Sequence, residues 1–357
     1  MKEHVLKLRQ WVAAHPRRSL AIGGALLIVV ASITAITAYQ LSTPKKIPTP
    51  APVKVSRKPV PKYYSLLTGK QVDSEAALKQ PVTGIMIENS PDARPQSGLK
   101  DAGVVYEAIA EGGITRFLAL YQQEKPGLIG PVRSLRMYYV DWLAPYQASA
   151  AHIGGSAAAL AEIRNGSYRD IDQFFNAPSY WRANDRAAPH NVYTSFEKLD
   201  ALNTAKGYTQ SEFRSFDRSD MPTTAEASAT TIRIDFSSAL YNTQYSYDAN
   251  SKTYARSVGG ADHNDREGGR ITPSVVIAMH VDMATVMEDG YRGNIATTGS
   301  GKAEVFQDGK VIECTWRKNS RGEPLELIDT NGAAIKLIRG QTWIAAVPNG
   351  TGGASWE

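Results

Sequence analysis

The chain has 357 residues, 42% hydrophobic and 21% charged, long enough for two globular domains and too apolar to be disordered throughout. A single cysteine, Cys314, excludes a disulfide scaffold, a cysteine-rich zinc site and a Cys-x-x-Cys redox pair. The net charge of +5 arises in the first 62 residues, where 11 Lys/Arg face only Glu3; the rest is mildly acidic and offers no long basic run, which excludes nucleic acid as the default partner.

Residues 1–18 form a basic segment. Ser19 to Pro44 then runs 26 residues without a charge, and Leu20–Leu41 is apolar or small throughout. At about 1.5 Å per residue this stretch spans roughly the 30 Å hydrocarbon core of a bilayer, so residues 19–41 are predicted to be a transmembrane helix. Lys7, Arg9, Arg17 and Arg18 precede it. The positive-inside rule therefore keeps the N-terminus cytoplasmic and places residues beyond about 42 outside. A cleaved signal peptide would have a shorter apolar core and a small-x-small site, whereas Ala35 and Ala38 stand one residue too far apart. No cysteine stands at the end of the segment to carry a lipid.

Residues 42–62 contain six prolines and no hydrophobic pattern, which predicts an extended tether reaching roughly 65 Å at about 3.1 Å per residue. Within it, Lys45 and Lys46 could also touch anionic headgroups.

Residues 63–222 mix strand and helix signals and read as an α/β domain. Ile85–Ile87 is a short apolar strand, and Val104–Ala110 and Ile114–Tyr121 flank the hairpin turn Glu111-Gly112-Gly113. Gly130-Pro-Val-Arg-Ser is expected to open a helix carrying Leu135, Tyr138, Tyr139 and Trp142, ending near Pro145. Ala148–Ile153 reads as a buried strand. A Gly154-Gly155 turn leads to a helix over Ala157–Ile163, with Ser156 as N-cap and Gly166 past its end.

Residues 228–357 show no long helical period and read as a smaller, mostly β domain. Its expected strands are Thr231–Phe236, a hairpin about Asp248–Ser251, and Ala303–Phe306 with Val311–Trp316 around Asp308-Gly309. Leu325–Ile328 and Ile335–Ile338 flank Asn331-Gly332, and Trp343–Val347 closes the set.

Several stretches carry a resemblance: ENSPDARPQSGL (88–99), VVYEAIAEGGITRFLALYQ (104–122), IGPVRSLRMYYVD (129–141), HIGGS (152–156), DRAAPHNVYTS (185–195), GSGKAEVFQDGKVIECTW (299–316) and QTWIAAVP (341–348). In these the chain resembles the YerB-like lipoproteins, bacterial envelope proteins built from paired N- and C-terminal domains of unknown function. The resemblance implies an architecture and an envelope address but no activity. The chain departs from it in using a transmembrane helix where such proteins often carry a lipidated cysteine.

Polar residues of the first domain concentrate in Gly/Pro-rich turns. Glu107, Glu111 and Arg116 surround the hairpin; Arg133, Ser134 and Arg136 open one helix; His152 and Ser156 bracket the glycine pair; Asp185, Arg186, His190 and Asn191 share a loop. Helix N-termini and arginine forks suit a carboxylate or phosphate. The expected ligand-binding set is thus Arg116, Arg133, Ser134, Arg136, Gly154, Gly155, Arg186 and Asn191, for an anionic cell-wall or surface ligand. The structural alternative pairs Arg116 with Glu107 or Glu111 and Arg186 with Asp185 or Asp141, makes Ser156 only an N-cap, and leaves His152 as a core histidine.

A catalytic reading would use Ser156 with His152 or His190, or the carboxylate pair Glu107 and Glu111, which an extended strand would hold on one face about 13 Å apart. No metal or cofactor is expected. His263 with Asp262 and Asp265, and His280 with Asp282, lack ligand spacing and read as solvated loop residues. Tyr138, Tyr139, Trp142 and Tyr146 lie at helical spacing and read as core. Taken together, these features predict a single-pass, membrane-anchored extracytoplasmic envelope protein. It would bind or scaffold an anionic wall polymer or an envelope partner; the alternative is a hydrolase or transferase acting on such a polymer.

Overall fold

The computed structural model describes residues 1–42, 62–220, 226–285 and 293–357. It divides into two compact units, Met1–Val60 and Pro61–Glu357. In the first, helix α1 (Lys2–Ala14) precedes helix α2 (Pro16–Ser42). α2 is 27 residues long with a mean hydropathy of 2.3 over its most apolar window, long and apolar enough to cross a bilayer. α1 was not expected. The tether with Lys45 and Lys46 lies outside the described residues, apart from its ends.

In the second unit the strands of the two larger sheets are β1 (Thr83–Glu88), β2 (Val104–Glu111), β3 (Ile114–Tyr121), β4 (Ser149–Ala151), β5 (Arg169–Asp170), β6 (Thr231–Asp235), β7 (Thr243–Asp248), β8 (Thr253–Val258), β9 (Ala261–Asp262), β10 (Val275–Val281), β11 (Gly299–Gln307), β12 (Lys310–Lys318), β13 (Glu326–Ile328), β14 (Thr342–Pro348) and β15 (Gly353–Trp356). The main helices here are α3 (Met137–Leu143), α4 (Ala157–Asn165) and α5 (Phe196–Ala205).

One sheet crosses the whole unit in the order β13-β12-β11-β10-β14-β2-β3-β1-β4-β5. Strand β14, from the strand-rich C-terminal region, lies between β10 and β2 and is parallel to both. The α/β region and the strand-rich region therefore share one sheet. Every residue of β14 is buried, as the apolar run that follows Thr342 requires of a strand covered on both faces.

On one face, Val104, Tyr106 and Ala108 of β2 pack with Tyr138, Tyr139 and Trp142 of α3 and with Ala159 and Ile163 of α4. On the other, Val105, Ile109 and Trp343 pack with Ile232, Ile234, Tyr245 and Tyr254 of a five-stranded sheet, β9-β8-β7-β6-β15, and with Phe196 and Leu199 of α5. Each large side chain fully withdrawn from water contributes roughly 1.5–3 kcal/mol to these layers.

Turn chemistry sets the hairpins. Gly112 and Gly113 have φ of 60° and 76°, and Asp308-Gly309 has 53° and 70°, left-handed values that fit tight hairpin turns. Three local expectations change. Gly130–Leu135 does not open a helix; it is extended, with Val132 N–H donating to Val192 O and Arg133 N–H to Met86 O, and α3 begins only at Met137. Leu337-Ile338 pairs with Arg218-Ser219 rather than with β13. The seven-residue strand β10 had no counterpart among the expected elements.

Candidate functional site

β1 is parallel to β4, β4 to β5, β2 to β14, and β14 to β10; β1 and β2 are both antiparallel to β3. β12, antiparallel to β11, which is itself antiparallel to β10, shares this direction, so seven strands run one way and end at one edge, the position where open α/β sheets place ligands. Glu88 ends β1, Glu111 ends β2, His152 follows β4 and Asp170 ends β5. The Arg133–Arg136 segment crosses this edge: Leu135 N–H donates to Gly154 O, and Ser156 N–H to Leu135 O. The two glycine-containing turns thus meet, yet their cations divide among three separate clusters.

In the first cluster Glu88 is buried, and its Oε2 lies 2.7 Å from Arg133 Nε and 3.0 Å from His190 Nδ1. The Arg133 N–H is not aligned for a hydrogen bond to it, so the contact is an ion pair. Ser90 Oγ approaches the same Nδ1 at 3.1 Å. One nitrogen cannot donate to Glu88 and accept from Ser90 at once, so this is not the acid–histidine–serine relay in which the two ring nitrogens take separate roles. Among the described residues, neither Nη atom of Arg133 nor Nε2 of His190 makes a hydrogen bond, and the two side chains remain 24% and 19% exposed.

The second cluster closes on itself, with the buried Arg116 Nε left without a hydrogen bond among the described residues. Arg136 Nε and Nη2 donate to Glu111 at 3.0 and 2.5 Å, Arg116 Nη2 donates to Glu111 at 3.2 Å, and Arg116 Nη1 donates to Ser134 O. Burial would raise the Glu111 pKa, but the two guanidinium groups outweigh it and hold the carboxyl below the usual carboxylate range. Beside Glu111 a cleft of about 540 Å³ opens at the same edge, lined among others by Gly113, Phe236, Met283, Pro348 and Asn349.

The third cluster centres on His152, fully buried, with Nδ1 2.8 Å from Gly154 O and Nε2 3.1 Å from Asp170 Oδ1. A carbonyl can only accept, so Nδ1 carries a proton and donates. Burial raises the Asp170 pKa, but the hydrogen bond and charge of His152 bring it below its ordinary value. Asp172 accepts from Gly154 N–H and pairs with Arg164 at 2.9 Å.

Glu107 lies elsewhere. A bulge between Ile109 and Glu111 switches faces: Glu107 projects with Val105 and Ile109 into one layer, while Glu111 meets Arg116 and Arg136 beside the other. The expectation that the two carboxylates share a face is overturned by that extra residue. Glu107 is fully buried; its Oε2 accepts from Arg256 Nη2 at 2.7 Å and Trp343 Nε1 at 2.8 Å, and its Oε1 from Thr115 at 2.9 Å. Arg256 Nε donates to Tyr245 OH, its Nη1 contacts His263 Nδ1, and its guanidinium lies 4.4 Å from the Trp343 ring centroid. His263 Nε2 donates to Gln96 Oε1 at 2.8 Å. Burial, then the nearby Arg256, hold the His263 pKa well below the ordinary histidine value, so the ring is neutral. His263 and Asp265 are therefore buried structural residues rather than solvated ones; Asp262 is exposed.

The other candidates are placed as follows. Ser156 Oγ caps α4 by accepting from Ala159 N–H, as its N-cap role requires, and touches no histidine. Arg186 reaches neither Asp185 nor Asp141; it donates to Asp92 O and Pro95 O, while Asp185 pairs with Arg266 and Asp141 with Arg321. Asn191 bonds Arg182 and Ala183 O. Gly155 bridges Leu135. His280 pairs with Glu304, not Asp282. The sequence reading missed Glu88, Ser90 and Arg256. A charge closing the apolar run Ile85–Ile87 was the available signal for Glu88; nothing local marks Arg256, whose partner Glu107 is 149 residues away.

Two family profiles match the chain: residues 67–209 match "Protein of unknown function (DUF3048) N-terminal domain" and residues 232–344 match the corresponding C-terminal domain. A protein of Bacillus subtilis (strain 168) named "Putative lipoprotein YerB" is 32% identical over 296 residues, 81% of this chain and 87% of that protein. The chain belongs to this YerB-like, two-domain family. The crystal structure of Bacillus subtilis YerB superposes with a TM-score of 0.74 at 29% identity, covering 82% of this chain and all of that one. Within the YerB-like family this chain carries an N-terminal apolar helix, which together with the relative's lipoprotein name points to membrane association.

Proposed function

We propose that this YerB-like protein is anchored by α2 with its N-terminus cytoplasmic and its body outside, and that it binds an anionic group of a wall or surface polymer at the carboxyl edge of its sheet. The Glu88 cluster carries the reading. Arg133 and His190 both contact one buried oxygen of Glu88, and among the described residues both keep hydrogen-bonding nitrogens unused at a water-accessible position. Holding a cation by its inner atom and leaving the outer fork free is what two-point recognition of a carboxylate or phosphate needs. Arg136 and Arg116, by contrast, have their forks occupied by Glu111 and Ser134 O.

The test is co-sedimentation of the full chain, in detergent, with purified walls that carry or have been stripped of their anionic polymer. Retention on the intact walls only, weakening as salt rises, is the expected result. Equal retention on both, or on neither, would refute it.

A further inference from the structure

Helix α1 has no buried residue, and Val5, Leu8, Trp11 and Val12 are all exposed. At 100° per residue these four fall within an arc of about 120°, an exposed apolar stripe whose Trp11 stacks on the His15 ring with centroids 5.2 Å apart. Lys2 and Arg9 border the stripe on one side and Lys7 on the other; Glu3 lies on the far face, 3.8 Å from Lys7. Two residues break the pattern: His4 falls inside the arc, and Leu6 lies outside it. At His15 the backbone leaves helical geometry (φ −132°, ψ 62°), its N–H still bonded to Trp11 O, and Pro16 starts α2. The break allows α1 a direction of its own at the mouth of the apolar span.

We infer that α1 lies in the membrane interface on the side where α2 enters, with its apolar stripe at the acyl boundary and Lys2, Lys7, Arg9, Arg17 and Arg18 on anionic lipid headgroups. This rests on the reading of α2 as membrane-spanning. Direct continuity with that span puts the stripe at bilayer level, and a stripe edged by cations matches an anionic leaflet. A second copy of the helix is a poorer occupant, because 13 residues hold fewer than the three to four heptads that a coiled coil sustains.

The full chain is reconstituted in vesicles of phosphatidylcholine, with or without phosphatidylglycerol, and labelled with an environment-sensitive fluorophore at V12C, Q10C or I33C. Cys314 is buried and its thiol is pushed up to about 12 by that burial, so it does not compete for label. Expected results are a hydrocarbon signal at I33C, an interfacial signal at V12C that strengthens with phosphatidylglycerol, and water at Q10C. Each cation at such a surface is worth about fivefold, so K2Q/K7Q/R9Q should shift the bound-to-free ratio of α1 on the order of a hundredfold. Water at V12C with hydrocarbon at I33C overturns the inference alone. Water at I33C overturns the spanning reading and this one with it. A V12C signal indifferent to lipid charge and to the triple change overturns the headgroup contact.

Discussion

Arg256 and Arg133 each hold a glutamate of the central sheet at 2.7 Å, yet their surroundings differ in kind. Arg256 is fully buried, and each of its guanidinium nitrogens meets a partner: Tyr245, His263 or Glu107. Arg133 makes its closest approach to Glu88 through Nε and keeps its outer nitrogens without hydrogen bonds among the described residues. A saturated buried pair ties the two family segments together, since Glu107 belongs to one and Arg256 to the other. A half-satisfied pair at an edge keeps capacity for something else. Residue type does not separate these roles; the count of unused donors does.

The buried pair should break most expensively. R256M leaves Glu107 without its counter-charge and should cost roughly 3–5 kcal/mol by denaturant unfolding, while the double variant R256M/E107Q should recover much of that loss. A loss below about 1 kcal/mol would mean that Glu107 is not dependent on Arg256. Next in size is R136A. Glu111 keeps Arg116 and is a quarter exposed, so about 1–3 kcal/mol is expected, and a change within error would count against the closed-cluster description.

Much of the fold can be read locally, and the limits are physical. Hairpins were legible where the turn carries the code, as at Glu111-Gly112-Gly113 and Asp308-Gly309, and α4 because Ser156 and Gly166 punctuate it. Strand β10 was not, because a strand buried on both faces loses the alternation that betrays a strand. Insertion of β14 between β10 and β2 left no local trace, since its neighbours come from distant segments. In the site, the residue types gathered at the edge were legible, but their partners were not. A single bulge moved Glu111 away from Glu107, and burial of His263 depends on Gln96, 167 residues earlier.

A smaller effect follows from His263. Its folded pKa lies below the unfolded value of about 6.5, so the unfolded state binds more protons and stability falls as pH drops below about 6.5. H263Q should be less stable than the parent at pH 7.5 yet show a flatter stability profile between about pH 7 and 5. An unchanged slope over that range would place the titration elsewhere. The depressed Glu111 acts at lower pH, losing its contribution only as pH falls through its folded value.

The smallest stability effect is expected at Arg133. Lysine can keep the ion pair with Glu88 but cannot also offer a two-point fork, so R133K should unfold within about 0.5 kcal/mol of the parent. The decisive measurement is the affinity of R133K and parent full-length chains for walls bearing the anionic polymer, alongside their melting curves. Loss of one charge-assisted bond predicts about 10- to 150-fold weaker binding at unchanged melting. Unaltered binding by R133K, or a drop in binding that only tracks a drop in melting temperature, would contradict the assignment of Arg133 to a ligand.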